Sequence, residues 1–79
     1  MNAAYLLIDV EAGREMEVAK ALSKIDGVKL AHVVTGLHDV IAFLEARDLK
    51  DMRETIIKKI RGIKAIKRTV TCLAVDITD

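Results

Sequence analysis

The sequence predicts an α+β fold, a four-stranded antiparallel sheet with two helices on one face, in the order β-α-β-β-α-β. Three observations carry this. Apolar, β-branched runs of strand length alternate with two stretches of helical periodicity. The two middle runs are joined directly, across a short corner containing Gly36, which makes them an antiparallel hairpin. Each half then reads as strand, amphipathic helix ending at a Gly, and strand, although the halves share little residue identity.

The first strand is the apolar run Ala3 to Val10, broken only near its end by Asp9. Glu11-Ala12-Gly13 turns the chain, with Gly13 as cap or turn residue. From Arg14 to Ile25 the period changes: Val18, Ala21, Leu22 and Ile25 fall at i, i+3, i+4 and i+7 and form the apolar stripe of a helix. Asp26-Gly27 ends it, since Gly accepts the left-handed backbone common after a helix. Val28 to Val34 and Asp39 to Ala46 are the hairpin strands, rich in residues that suit a pleated, half-buried surface. Asp48 is placed as a helix N-cap, with Asp51 in the first turn. Leu49, Met52, Ile56 and Ile60 trace the second stripe, which Ile57 widens; Lys58, Lys59 and Arg61 crowd the last turn before Gly62. Lys64 to Ile77, rich in Val, Ile and Thr, is the last strand. The order is the ferredoxin-like one, with strands one and three in the middle of the sheet.

Those two central strands are apolar on both faces. Ala4, Leu6, Ile8 and Val10 oppose Ala3, Tyr5 and Leu7; Val40, Ala42 and Leu44 oppose Ile41 and Phe43. A sheet with water on one side should alternate apolar and polar. The face away from the helices therefore exposes a contiguous apolar patch, and such patches mark interfaces. A homodimer packed sheet to sheet through Tyr5, Leu7, Ile41 and Phe43 is expected, with two-fold symmetry.

Composition narrows the function. The chain has 79 residues, 52% of them hydrophobic, and reads as a single domain over 1–79. A chain this short buries only about 60% of its unfolded surface, so covering the second face would stabilise it considerably. Charged residues make up 32%, yet the net charge is +1, which argues against a nucleic-acid clamp. The single cysteine, Cys72, excludes an internal disulfide and reads as a small buried hydrophobe. No apolar run approaches the roughly 20 residues of a membrane span, and no signal peptide is evident. A cytoplasmic domain is expected.

Few residues in the chain could carry chemistry. There is no CxxC, HExxH or Gly-rich phosphate loop. His32 and His38 lie on different elements without an acidic third ligand at suitable spacing, so neither metal nor cofactor is expected. Tyr5 and Phe43 are the only aromatics, too few for a base-stacking platform, and the cations from Lys58 to Arg68 fit a solvated helix end. What remains is the corner Gly36-Leu37-His38-Asp39 and the pair Thr69 and Thr71, whose hydroxyls share one face of the last strand. A corner offering backbone N–H groups and a carboxylate could hold a zwitterion, with Asp39 meeting the ammonium. A turn-capping Asp39 and strand-forming threonines are the plainer alternative.

The stretches Val10-Glu11-Ala12-Gly13-Arg14-Glu15, Ile25-Asp26-Gly27-Val28, Val34 to Val40, and Ile63 to Ile66 leading into Thr69-Val70-Thr71 resemble the C-terminal effector (RAM) domain of the Lrp/AsnC transcriptional regulators. The Gly-x-aromatic/His-Asp corner and the Thr-x-Thr strand are its recognisable signatures. The resemblance implies sheet-to-sheet dimers assembled into rings, often octamers or decamers, with amino-acid effectors at interfaces between dimers. It places Gly36, Leu37, His38, Asp39, Thr69 and Thr71 in the ligand site. His38 stands where many members carry an aromatic. No DNA-reading helix-turn-helix precedes Ala3, so the sequence is similar to a stand-alone effector domain, without direct DNA binding, that could join a full-length regulator. The resulting expectation is a non-enzymatic amino-acid sensor. Its rivals are a small dimeric α+β barrel enzyme using His38 and a ligand-free oligomerisation domain.

Overall fold

The two central strands dictate how the rest of the chain packs. The computed structural model describes residues 2–75, Thr55 by its backbone only. The strands are β1 (Asn2–Val10), β2 (Val28–Val33), β3 (Val40–Ala46) and β4 (Ile66–Leu73). All neighbours are antiparallel in the order β2-β3-β1-β4, so strands one and three are central as expected. The helices are α1 (Glu15–Ser23) and α2 (residues 49–61).

Burial follows the predicted two-residue period. Ala4, Leu6, Ile8 and Val10 of β1 and Val40, Ala42 and Leu44 of β3 are buried beneath the helices. They pack on Val18 and Leu22 of α1 and on Met52, Ile56 and Ile60 of α2. Among the described residues no polar or charged side chain is buried. Nor is any described helix long and apolar enough to cross a membrane.

The two helices start differently, only α2 with a side-chain cap. Asp48 is extended (φ −155°), and its Oδ1 accepts the Asp51 N–H at 2.7 Å, which satisfies one of the unpaired donors of the first turn. Helix α1 starts without such a cap. Instead the Arg14 guanidinium reaches Glu17 at 2.6 Å and Glu11 at 3.4 Å. The hydrogen bond to Arg14 holds the Glu17 carboxyl below its ordinary range, but both groups are exposed and the pair is screened.

Helix α2 departs from the regular helix expected. Its middle, Met52–Ile57, is a π-helix set between Leu49–Asp51 and Lys58–Arg61. The buried residues Met52, Ile56 and Ile60 are spaced by four, which overshoots the 3.6-residue α turn. A wider turn brings all three back over the sheet. The last strand is also shorter than the predicted Lys64 to Ile77: it runs Ile66–Leu73, and Ile77 lies outside the described residues. Cys72 corrects a second expectation. It is exposed, because β4 is an edge strand and Cys72 pairs with Tyr5 on the face away from the helices.

Gly27 has a backbone and a packing reason to be glycine. Its φ is +100°, and a Cβ there would sit 2.5 Å from Ile56 Cδ1 and 3.2 Å from the Glu45 carbonyl oxygen. Gly13 has φ +84° but open space around it. Urea denaturation of Gly27→Ala should therefore show a loss of about 1–3 kcal/mol, from strain and overpacking together. Gly13→Ala should lose less, about 1 kcal/mol, from backbone strain alone.

Candidate functional site

The corner between β2 and β3 is held by the end of β1. Asp39 is the joint: its N–H donates to the Ile8 carbonyl at 3.0 Å, and its own carbonyl accepts the Val34 N–H at 2.9 Å. Its side-chain Oδ2 accepts the Val10 N–H at 3.0 Å. That N–H lies at an irregularity in the β1–β4 ladder, where the register shifts between Asp9 and Val10. One aspartate thus closes the hairpin and satisfies a strand end that regular pairing leaves open.

His38 is fixed from the same side. Its Nδ1 donates to Asp9 Oδ1 at 3.0 Å, both side chains being half-buried. With the carboxylate as acceptor Nδ1 carries the hydrogen, and in the neutral ring Nε2 is the acceptor. Gly36 sits at φ +150°, where a side chain would be strained although nothing crowds the position. Leu37, at the tip, is 95% exposed. The corner therefore presents a carboxylate, an imidazole and an uncovered apolar side chain on a rigidly anchored base.

The two threonines are elsewhere. Thr69 pairs with Ile8 and Thr71 with Leu6, so both belong to the helix-side face of edge strand β4. Strand β1 lies between them and the corner. Two strand spacings, roughly 10 Å, thus separate the groups within one protomer. Thr71 instead lines a groove against α2 with Leu49, Arg53 and Leu73.

The open face is as apolar as the sequence predicts. Tyr5 and Phe43 pair directly, their rings 4.8 Å apart and tilted by 48°, and Leu7 faces Ile41. Leu30, Val70 and Cys72 extend the patch across β2 and β4. Tyr5 is 47% exposed. His32 lies opposite Ile41 on the open face, and the described residues hold no group of three or more His, Cys, Asp or Glu at metal-binding spacing.

Sequence reasoning missed Asp9. It stood out only as a charge that interrupts an apolar strand, and its role depends on His38, 29 positions away. Arg53 was missed too, because a cation on a helix surface carries no signal until the facing strand is known.

Comparison with known proteins adds the family. The model of the Lrp/AsnC ligand-binding domain matches residues 3–78. A curated HTH-type transcriptional regulator of Pyrococcus furiosus is 34% identical over 74 residues, which are 90% of this chain and 49% of that protein. The chain thus spans about half the length of the curated relatives it matches. A solved hypothetical protein of Pyrococcus horikoshii superimposes with a TM-score of 0.89 at 38% identity, over 98% of this chain and 93% of that one. A transcriptional regulator of Neisseria meningitidis, solved as a complex with L-Met, shares the fold at a TM-score of 0.81. It is 13% identical, over 95% of this chain and 50% of that one.

The anchoring of the corner is open to a direct check. Asp39→Ala should cost about 1–3 kcal/mol in urea denaturation, since it leaves the buried Val10 N–H without an acceptor. Asp39→Asn, which keeps an oxygen there, should cost less than half of that.

Proposed function

The chain belongs to the Lrp/AsnC ligand-binding domain family, and from that premise we propose that it is a non-catalytic effector-binding module that assembles as dimers and higher rings and senses an amino acid between them. The corner carries the reading. Asp39 spends Oδ2 on the Val10 N–H, and a carboxylate has lone pairs beyond that one bond, enough to meet an ammonium as well. The backbone N–H groups around Gly36 suit the effector's carboxylate, and Leu37 would close over its side chain.

The separation of Thr69 and Thr71 from this corner supports a site completed by a second copy. No one protomer brings the two groups together, whereas a neighbour's β4 could supply the threonines to this corner. An effector bound in that way would favour the assembled state through its higher affinity for it. The relative solved with L-Met supports an amino acid as the effector class. A full-length regulator of the same family would be a natural assembly partner, since the curated relatives are HTH-type regulators about twice as long.

The α+β barrel enzyme is the weaker reading. Such an enzyme needs a cavity between sheet and helices, and Leu6, Ile8, Leu22, Leu44 and Met52 fill that space. His38 is engaged with Asp9 at the sheet's end rather than over a pocket.

The test is a melting-temperature panel across the twenty free amino acids at millimolar concentration. An effector at about 100 times its dissociation constant should add roughly 2.7 kcal/mol, which in a domain of this size is a shift on the order of 10 °C. A selective shift in the wild type that vanishes in Asp39→Asn is expected. A flat panel, or an unchanged response in Asp39→Asn, would contradict the site.

A further inference from the structure

A groove of about 360 Å³ runs between α2 and the outer edge of β4. Its size is that of a small-ligand site. Leu49, Met52, Ile57 and Leu73 supply the apolar surface, Leu49 and Leu73 being 49% and 54% exposed. Arg53 and Arg61 stand at its exposed rim, and Thr71 adds one hydroxyl. The wall on the helix side includes the π-helical turn Met52–Ile57, a geometry that recurs at functional sites.

The charge is one-sided. Among the described residues no carboxylate lines this groove, and Glu54, which faces the adjoining hollow with Lys58, is the one acid in the sequence between Asp51 and Asp76. Two guanidinium forks over an apolar floor suit a ligand with an aliphatic body and a single planar anion, because Arg engages carboxylates bidentately. An ammonium would find no anionic partner among the lining residues. The occupant therefore differs in kind from a zwitterion.

We propose that this groove binds a small aliphatic carboxylate, its chain laid on Leu49, Met52, Ile57 and Leu73 and its carboxylate held by Arg53 and Arg61. Within one protomer the site is separate from the Asp39 corner, on the other side of β1, and its carboxylate is held by Arg53 and Arg61, which the effector reading does not use. Thr71, which the effector reading would present to a neighbour's corner, also lines this groove and has a hydroxyl to offer the carboxylate.

Octanoate is the probe, measured by equilibrium dialysis against the purified chain. Saturable binding is expected at one site per chain. Two variants should each weaken it at least tenfold: R53Q/R61Q, which removes the forks, and Leu73→Glu, which sets a like charge in the groove. All three side chains are exposed, and a melting curve of each variant reports that it folds. Asp39→Asn should bind octanoate as the wild type does, so loss of the corner site and loss of this one read differently. Octanol that displaced octanoate at equal concentration would reduce the groove to a greasy patch and overturn the proposal. So would binding indifferent to R53Q/R61Q, which would place octanoate on the open sheet face. Binding that emerged only on dilution would assign the groove to a second copy and overturn it as well.

Discussion

The constraint on which the rest depends is that β1 and β3, the middle pair of the sheet, are apolar on both faces. Helices α1 and α2 cover one face and fill it with a core free of buried charge among the described residues. The other face keeps Tyr5, Leu7, Ile41 and Phe43 in a contiguous patch, with the Tyr5 and Phe43 rings already in tilted contact. A small domain gains little from one core, so covering such a surface would add substantially to its stability. Under the proposed assembly a second copy laid sheet to sheet would be the simplest cover, because two-fold symmetry lets the patch meet itself.

The same central strand also fixes the corner. Val10 lies where the β1–β4 register shifts, and its N–H turns to Asp39; Asp9, one residue earlier, holds His38. The corner is therefore an extension of the core rather than a loop appended to it. Asp39 and His38 are held by these bonds, which would lower the ordering cost for any ligand that meets them. Across β1 lies a different chemistry, the arginines and leucines of the α2–β4 groove.

How much of this was legible in the residues depended on the distance over which each feature is decided. The two-faced strands, the hairpin and the helix N-cap at Asp48 follow from spacings of a few residues and were readable. The corner was readable as a unit, but its anchoring was not, because Val10 and Asp39 are 29 positions apart. Thr69 and Thr71 visibly share a face, yet which face depends on pairing with Ile8 and Leu6. Cys72 has the composition of a core residue and lies on an edge strand instead. The π-helical turn was hidden for a related reason: the four-residue spacing of Met52, Ile56 and Ile60 fits a loose α stripe until the sheet beneath demands closer alignment. Family comparison supplied what geometry does not, namely that this chain belongs to the Lrp/AsnC ligand-binding domain family.

Sedimentation velocity across a dilution series at micromolar concentrations tests the central constraint most directly. The account predicts dimers or even-numbered assemblies, with no folded monomer until dilution is extreme. Leu7→Lys, which places a charge at the centre of the open face, should dissociate them. A folded wild-type monomer at micromolar concentration would contradict the account, because the apolar face would then be stable in water without a partner.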